Sequence, residues 1–453
     1  MFKVKEIIQA TGGLLLAGDG AQKIAGISTD SRGIKAKEAF LALRGKNFDG
    51  HDFIAQALRA KASCIIVEDR PKEIIPARLA VIKVKDTTLA LGEIARFQRQ
   101  KFNLPVVAIT GSNGKTTTKE MVAWVLSAKA RVLKNEGTKN NQIGLPQTLI
   151  QLSPNDKFAV VEIGTNHFGE VDYLAKIACP NIGIITNIGP SHLEFLKDLK
   201  GVFKEKSSLL NNLSGPAIAL VNADDASLGS LIRDKRRACR VFSYGINTKS
   251  DFSASAIRIE NGKVRFKVNS KSNFELSSLG VYNVYNALAA IACGRILGLS
   301  YAQMCLRLAE FKFPRGRLNL VKSGGLKFID DTYNSNPLSL KAALDTLNAV
   351  GCCGRKILVM GDMLELGRQK ELLHRQIAWS ITNSCDLLIA VGSLARITAE
   401  AALRYGWQAK RIFCCDHAAQ ARKLLLGKVA AQADDLILVK GSRSMKMEEV
   451  LEA

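Results

Sequence analysis

No uninterrupted apolar run in this chain reaches the roughly 18 residues that a membrane-crossing helix needs, so no membrane span is expected. The N-terminal stretch MFKVKEIIQATGGLLLAGDG has a short apolar segment and no small-residue cleavage site after it. It reads as an amphipathic helix and not as a signal peptide, which points to a cytoplasmic protein. None of the ten cysteines stands in C-x-x-C spacing, and the two adjacent pairs are Cys352–Cys353 and Cys414–Cys415. Metal knots and disulfide frameworks are therefore not expected, and buried, reduced thiols are. Aromatic residues make up only 6% and do not interleave with the one basic cluster, Arg233 to Arg237, which argues against a nucleic-acid groove. Acidic side chains are few beside basic ones, 41 against 64, for a net charge of +23. The bases are spread along the chain, with one short cluster at Arg233, Lys235, Arg236 and Arg237. Such a field suits small polyanionic substrates such as nucleotides and carboxylates. Internal repeats and low-complexity segments are also missing.

What is present is an ordinary globular composition, 47% hydrophobic and 23% charged, over 453 residues. At about 150 residues each, that length suggests three domains. The most informative stretch is VVAITGSNGKTTTKEM, Val106 to Met121. An apolar strand breaks into Gly111, Ser112, Asn113 and Gly114, and a helix follows from Lys115. Strand, glycine loop and helix together form a phosphate cradle. Backbone N–H groups point inward, the helix N-terminus adds partial positive charge, and Lys115 adds a full one. Thr116 directly after the lysine is placed to hold Mg²⁺. The pattern G-x-x-x-x-G-K-[ST] is not met strictly, because Ile109 replaces its first glycine.

Residues 1–84 alternate strand-like runs (AFLAL, SCIIVE, LAVIKV) with a helical pattern at FIAQALRAKA, a small α/β unit. Its polar loops STDSR and RGKNFDGHDF are of a kind that holds ligands or simply turns the chain. From 85 to 314 strands (RVLK, FAVVEIG, NIGIITNIG, AIALVN, RVFSYG) alternate with helices, the signature of a mostly parallel sheet. A polar stretch within it reads as antiparallel hairpins with an Asn261–Gly262 turn. A Pro/Gly break at Phe313–Gly316 opens residues 315–453, a second doubly wound α/β unit with strands at KFIDD, KILVMG, LLIAVG, RIFCC and DLILVKG.

Several polar groups fall at strand ends of these sheets. Glu162 ends FAVVE, a position suited to Mg²⁺ or to plain solvent exposure. His192 follows another strand end. Lys204 and Lys206 share one helix, and nothing in their chemistry separates them. Asn283 and Asn286 stand at i, i+3, where they could read an adenine edge or cap the helix. IDDTYNSNP brings Asp331, Tyr333 and Asn334, and KGSRSMKMEEV brings Lys440, Ser442 and Arg443 as a basic loop suited to a carboxylate.

Taken together, GKNFDGHDF, TTLALGEIARF, GSNGKTT, NNQIGLP, IDDTYNSNP, GDMLELG and VKGSRSMKMEEV resemble the Mur ligase family of ATP-dependent amide-forming ligases in peptidoglycan precursor synthesis. The resemblance covers nearly the whole chain. It implies a small N-terminal UDP-binding α/β domain, a central P-loop ATPase-type domain and a C-terminal Rossmann-like domain. It further implies UDP-N-acetylmuramoyl-tripeptide and D-alanyl-D-alanine as substrates, in a cytoplasmic monomer with no nucleic-acid partner. ATP and two Mg²⁺ follow from it. Gly111 to Lys115, with Thr116 and Thr117, would hold the phosphates; Thr116, Glu162, His192 and a carbamylated Lys206 would hold the ions. Asn283 and Asn286 would meet adenine, and Arg317, Asp331, Tyr333 and Asn334 the phosphates and ribose. Ser28, Asp30, Ser31 and Arg32 match the uridine loop. Asn140, Asn141, Thr165, Asn166 and His167, with Lys440, Ser442 and Arg443, fall to the peptide substrates. Thr138-Lys139 replaces one amide of the family's usual N-x-N-N, and Ser207-Ser208 follows Lys206 where a glutamate is common. A sister ligase adding a single amino acid, a nucleotide-dependent binding protein and a nucleic-acid-dependent ATPase stay open as alternatives.

Overall fold

The computed structural model describes residues 2–45, 48–234, 238–260 and 262–452, and they form three α/β bodies in chain order. The loop residues Lys46 and Asn47, the turn residue Asn261 and the basic residues Lys235, Arg236 and Arg237 lie outside the described residues.

The first body is a five-stranded sheet ordered Leu14–Ala17, Ala80–Lys83, Cys64–Val67, Ala39–Leu41, Ile27–Ser28. Its strands are parallel except the first. Side chains alternate between two cores, as a period of two requires. Phe40, Ile65, Val67 and Val81 face one side, and Leu41, Cys64, Ile66 and Ile82 the other. The N-terminal stretch is not one amphipathic helix. The helix Val4–Thr11 stops at Gly12, whose φ of 64° is open to glycine at little steric cost. Leu14–Ala17 then pairs antiparallel with Ala80–Lys83 as a sheet edge. Its apolar run is half-buried strand and not helix.

Helix Thr87–Gln100, capped by Asp86 through Leu89 N–H, leads into the second body. Arg99 on this helix is buried and donates to the carbonyls of Phe102, Leu104, Ala178 and Cys179, which ties the helix to the central sheet. That sheet has nine strands, ordered Ser272–Leu276, Lys263–Val268, Phe252–Glu260, Arg240–Gly245, Ile218–Asn222, Ile182–Ile185, Val106–Thr110, Phe158–Glu162, Val132–Lys134. From Phe252–Glu260 to Val132–Lys134 every pairing is parallel, and the first three strands pair antiparallel. Val106–Thr110 and Phe158–Glu162 are buried throughout because helices cover both faces.

The third body is a six-stranded sheet ordered Asn319–Ser323, Leu326–Asp331, Leu436–Lys440, Lys356–Gly361, Leu387–Val391, Ile412–Cys415. All its pairings are parallel except the first. The edge strand Asn319–Ser323 escaped the sequence reading because NLVKS is short and polar. The Gly324–Gly325 pair, with φ of 55° and 78°, was its one local signal, a hairpin turn.

No disulfide joins any of the ten cysteines. Only Cys64, Cys293, Cys385 and Cys415 are buried, while Cys353 and Cys414 are exposed. The expectation of buried thiols therefore holds for only part of the set: Cys353 lies in a loop, and Cys414 points outward from an edge strand. Among the described residues no helix is long and apolar enough to cross a membrane.

Candidate active site

The strand ends of the second and third bodies face each other across a cleft of about 1030 Å³. That volume is at the upper end for one small ligand and gives room for several groups at once. On the central side the chain must turn abruptly from Val106–Thr110 into helix Lys115–Leu126. Gly111 has a φ of 149°, and a side chain there would collide with Thr186 Oγ1 at 1.9 Å. Gly114, φ 79°, lies so close to Asn286 that a Cβ would stand 2.5 Å from its Oδ1. Both glycines are required by close approach. Ser112 Oγ donates to Gly189 O at 2.9 Å, and Asn113 N–H donates to Asn187 Oδ1 at 2.9 Å. The loop is therefore held from the neighbouring strand end.

Lys115 Nζ curls over this loop and donates to the carbonyls of Gly111 at 2.8 Å and Ser112 at 3.2 Å. Burial lowers its pKa; nearby Arg317 acts in the same direction and Glu162 opposes it. Glu162, 1% exposed, accepts from Asn140 Nδ2 at 2.7 Å through Oε1, while Oε2 is buried without a partner. An orphaned carboxylate oxygen at a cleft is a cation ligand in waiting. Among the described residues, however, no three His, Cys, Asp or Glu side chains converge on one point. The donors fit Mg²⁺, which takes one or two protein oxygens and completes its shell with phosphate and water.

Lys206 and Lys204 separate sharply. Lys204 is exposed, whereas Lys206 is 1% exposed. Burial first, and the positive charge of Lys115 second, push the Lys206 ammonium well below its ordinary pKa, against Glu205 and Glu162. Glu205 itself accepts from the N–H groups of Gly169 and Val171 at 2.7 and 2.8 Å, so it fixes the Thr165–Val171 loop. His192 has a φ of 53°, and its Nδ1 lies 2.6 Å from Glu365 Oε2 of the third body. The ring beside it holds the Glu365 carboxyl below the usual range.

Asn283 and Asn286 are both buried. Asn286 Nδ2 donates to Asn283 Oδ1 at 2.9 Å, and Thr118 Oγ1 donates to Asn286 Oδ1 at 3.1 Å. From the third body, Arg317 reaches Thr116 Oγ1 at 3.3 Å and stacks its guanidinium 3.8 Å over the Tyr333 ring. Lys440 pairs with Asp331 and also donates to Asn334 O at 2.8 Å. Burial lowers the Lys440 pKa, and Asp331 opposes that shift. Asn113 and Asn336 exchange amide hydrogen bonds of 3.2 and 2.8 Å across the cleft. Leu338 packs on Gly189, where a Cβ would come within 2.7 Å.

The cleft is lined by Ser112 to Thr117, Asn140, Asn141, Glu162, Thr165, Asn166, His192, Asn283, Asn286, Arg317, Asp331, Tyr333, Asn334, Lys440, Ser442 and Arg443. Lys206 lies buried behind this wall, and His167 lies against Phe195 with ring centroids 4.2 Å apart and the rings tilted by 37°. Ser28, Asp30, Ser31 and Arg32 do not reach the cleft. Their loop is internally bonded, with Asp30 paired to Arg32, and Ser31 donates to Gln56. It touches the central body through Thr29, which accepts from Gln147 Nε2 at 2.6 Å. Sequence reasoning missed Asn135, Glu205, Asn336 and Glu365. Asn135 takes Glu162 N–H and returns Nδ2 to Glu162 O, which squares up the strand end.

Three models of one family match in register with the three bodies: "Mur ligase family, catalytic domain" over 23–99, "Mur ligase middle domain" over 109–294, and "Mur ligase, glutamate ligase domain" over 316–443. The UDP-N-acetylmuramoyl-tripeptide–D-alanyl-D-alanine ligase of Bacillus subtilis is 35% identical, over 99% of this chain and 97% of the relative. The chain belongs to the Mur ligase family. Another Mur ligase, the Escherichia coli protein of the same name, is 35% identical over 94% of this chain and 93% of its own. Among solved Mur ligase structures, MurF from Acinetobacter baumannii superposes with a TM-score of 0.90 at 33% identity, covering 99% of this chain and 97% of that one. MurF ligase from Thermotoga maritima, in complex with ADP, gives 0.83 at 27% identity, covering 94% and 96%.

Proposed function

We propose that this chain joins UDP-N-acetylmuramoyl-tripeptide to D-alanyl-D-alanine through an amide bond, driven by ATP. The observation that carries the reading is the phosphate loop opposite the third body's strand ends, in a chain whose full-length relatives bear that ligase's name. A carboxylate resists an amine because its leaving group would be oxide. In this reading the tripeptide carboxylate attacks the ATP γ-phosphorus, ADP leaves, and an acyl phosphate forms. The amine of D-alanyl-D-alanine then attacks the acyl carbon, loses a proton, and expels phosphate.

The first step brings anions together, so positive charge and positioning do most of the work. The loop N–H groups and Lys115 would cradle the β- and γ-phosphates, and Arg317 would meet them from the third body. Thr116 and Glu162 would hold one Mg²⁺, and His192 with carbamylated Lys206 a second; bound there, the ions offset the charge between carboxylate and γ-phosphate. Carbamylation needs a neutral amine to attack CO₂ with loss of one proton, and a buried ammonium of depressed pKa supplies one. Asn283 and Asn286 would meet adenine, Asp331, Tyr333 and Asn334 the ribose and phosphate side, and Ser28 to Arg32 the uridine. Asn140, Asn141, Thr165, Asn166, His167, Lys440, Ser442 and Arg443 would orient the peptides. We place the reaction in the cytoplasm, where ATP and UDP-linked precursors occur, with a monomer as the working unit.

Phosphate release with UDP-muramyl-tripeptide tests the reading, with D-alanyl-D-alanine compared against single amino acids as acceptor. Release only with the dipeptide is expected. Release with single amino acids alone would transfer the chain to a sister activity. Release that depends on DNA or RNA would refute amide ligation.

A further inference from the structure

The string GDMLELG, Gly361 to Gly367, ends a strand of the third body, yet the chemistry above gives its glutamate no task. The turn is built with care. Met363 is fully buried and Leu366 is 1% exposed, both in the third body's core. Met363 N–H donates to His374 Nε2 at 3.1 Å, and Leu364 N–H donates to Ser442 Oγ at 2.9 Å. These anchors leave Glu365 projecting, with a φ of 61° that a glutamate adopts only under constraint.

What it projects onto is the His192 turn. Glu194 N–H donates to Glu365 O at 3.2 Å, and Gly367, φ 56°, packs so that a Cβ would stand 2.9 Å from Glu194 Cα. Glu365 Oε2 ends 2.6 Å from His192 Nδ1, whose own φ is 53°, an ion-pair approach in which the ring N–H is not aligned on the carboxylate and Nδ1 has no hydrogen-bond partner among the described residues. Two strained residues from different domains thus meet head to head, and a main-chain hydrogen bond fixes their register. A small rotation of the ring aligns Nδ1–H on the carboxylate, and an imidazole that donates there presents its Nε2 lone pair outward. Carboxylates behind metal-binding histidines act in this way, and their loss typically weakens metal binding 10- to 100-fold.

We propose that Glu365 is a positioning residue that orients His192 for a divalent cation, so that cation affinity depends on docking of the Leu364–Gly367 turn. The inference rests on the reading of His192 as a metal ligand. It makes the third body a contributor to the cation site without supplying a ligand. Seating of that domain and filling of the site then reinforce each other.

The test is Mn²⁺ titration of the full-length protein with a non-hydrolysable ATP analogue, followed by electron paramagnetic resonance. Glu365→Gln, which preserves size, should weaken the His192-dependent Mn²⁺ site by about 10- to 100-fold. Gly367→Ala, which leaves every charge in place but lifts the turn from Glu194, should weaken it in the same direction. His192→Gln should abolish that site. Unchanged affinity in Glu365→Gln beside loss in His192→Gln would overturn the role of Glu365. An effect of Glu365→Gln without one of Gly367→Ala would overturn the dependence on docking. Unchanged affinity in His192→Gln would instead remove the ligand reading on which the inference stands.

Discussion

Replacing Lys440 by methionine should cost the third domain about 3–5 kcal/mol, the range for breaking a buried ion pair from one side. Lys440 and Asp331 have side chains only 2% and 12% exposed, and they sit on adjacent parallel strands in direct register. Lys440→Met leaves Asp331 facing its partner strand without a counter-charge. Its Oδ2 loses the ammonium, and Asn334 O loses the donor it has at 2.8 Å. Removing both charges, as Lys440→Met with Asp331→Leu, should recover much of the loss, because no lone charge is then buried. The double substitution should cost less than the sum of the singles by about 2 kcal/mol or more, within the coupling range for contacting residues. Urea denaturation can read this. Two of the three tryptophans, Trp379 and Trp407, belong to the third domain, so a Trp124→Phe background isolates its signal. Singles that cost under about 1 kcal/mol, the value of an exposed pair, would refute the argument. Strict additivity would do the same.

Three further outcomes are expected. His374 is fully buried, accepts from Met363 N–H and lies 2.6 Å from Lys370 O at Nδ1; burial lowers its pKa. The unfolded chain takes up that proton near pH 6.5 and the folded one only lower, so stability is complete above about 6.5 and falls as pH drops below it. Denaturation across pH 5–7 should show a shallower fall in His374→Gln, and an unaltered slope would count against the assignment. Gly114→Ala forces alanine into a left-handed φ of 79° and a 2.5 Å approach to Asn286. With about 1–2 kcal/mol of backbone strain alone, ATP-analogue affinity should drop roughly tenfold or more, measured by calorimetry, with circular dichroism unchanged. Asn113→Asp replaces a donor by an acceptor opposite Asn336 Oδ1, so scattering with ATP analogue and UDP-precursor should report a more open particle than the parent.

Much of this architecture was legible in the sequence because its elements are driven locally. Val106–Thr110 and Phe158–Glu162 are continuous apolar runs bounded by glycine or a polar loop, and their parallel neighbours announce themselves in the same way. The phosphate loop was equally plain, since Gly111 and Gly114 mark a turn with positive φ between strand and helix, although the close approaches of Thr186 and Asn286 that also require them are long-range. Long-range pairing was not readable. Lys206 and Lys204 look alike in sequence, and only the packing of helix Leu199–Ser207 buries one of them. Asn336 reads as a helix cap, which it is, but its second role needs a partner 223 positions away. Glu365 lies in GDMLELG, one of the strings that carry the family resemblance, yet its neighbour His192 comes from another domain. The edge strand Asn319–Ser323 and the early stop of the first helix were hidden by short segments whose fate is decided by the sheet they join.

The reciprocal amide pair between Asn113 and Asn336 carries no charge, and neither does Leu338 over Gly189. The surface around them belongs to a chain of net charge +23. Added salt shortens the reach of that field and slows the gathering of anionic substrates. It has no grip on two amides or on a leucine against a glycine. Ionic strength should thus separate capture from closure: apparent KM values rise with salt, while turnover at saturating substrate holds nearly constant. Part of the join between the domains is made of contacts that a change of ionic medium does not loosen.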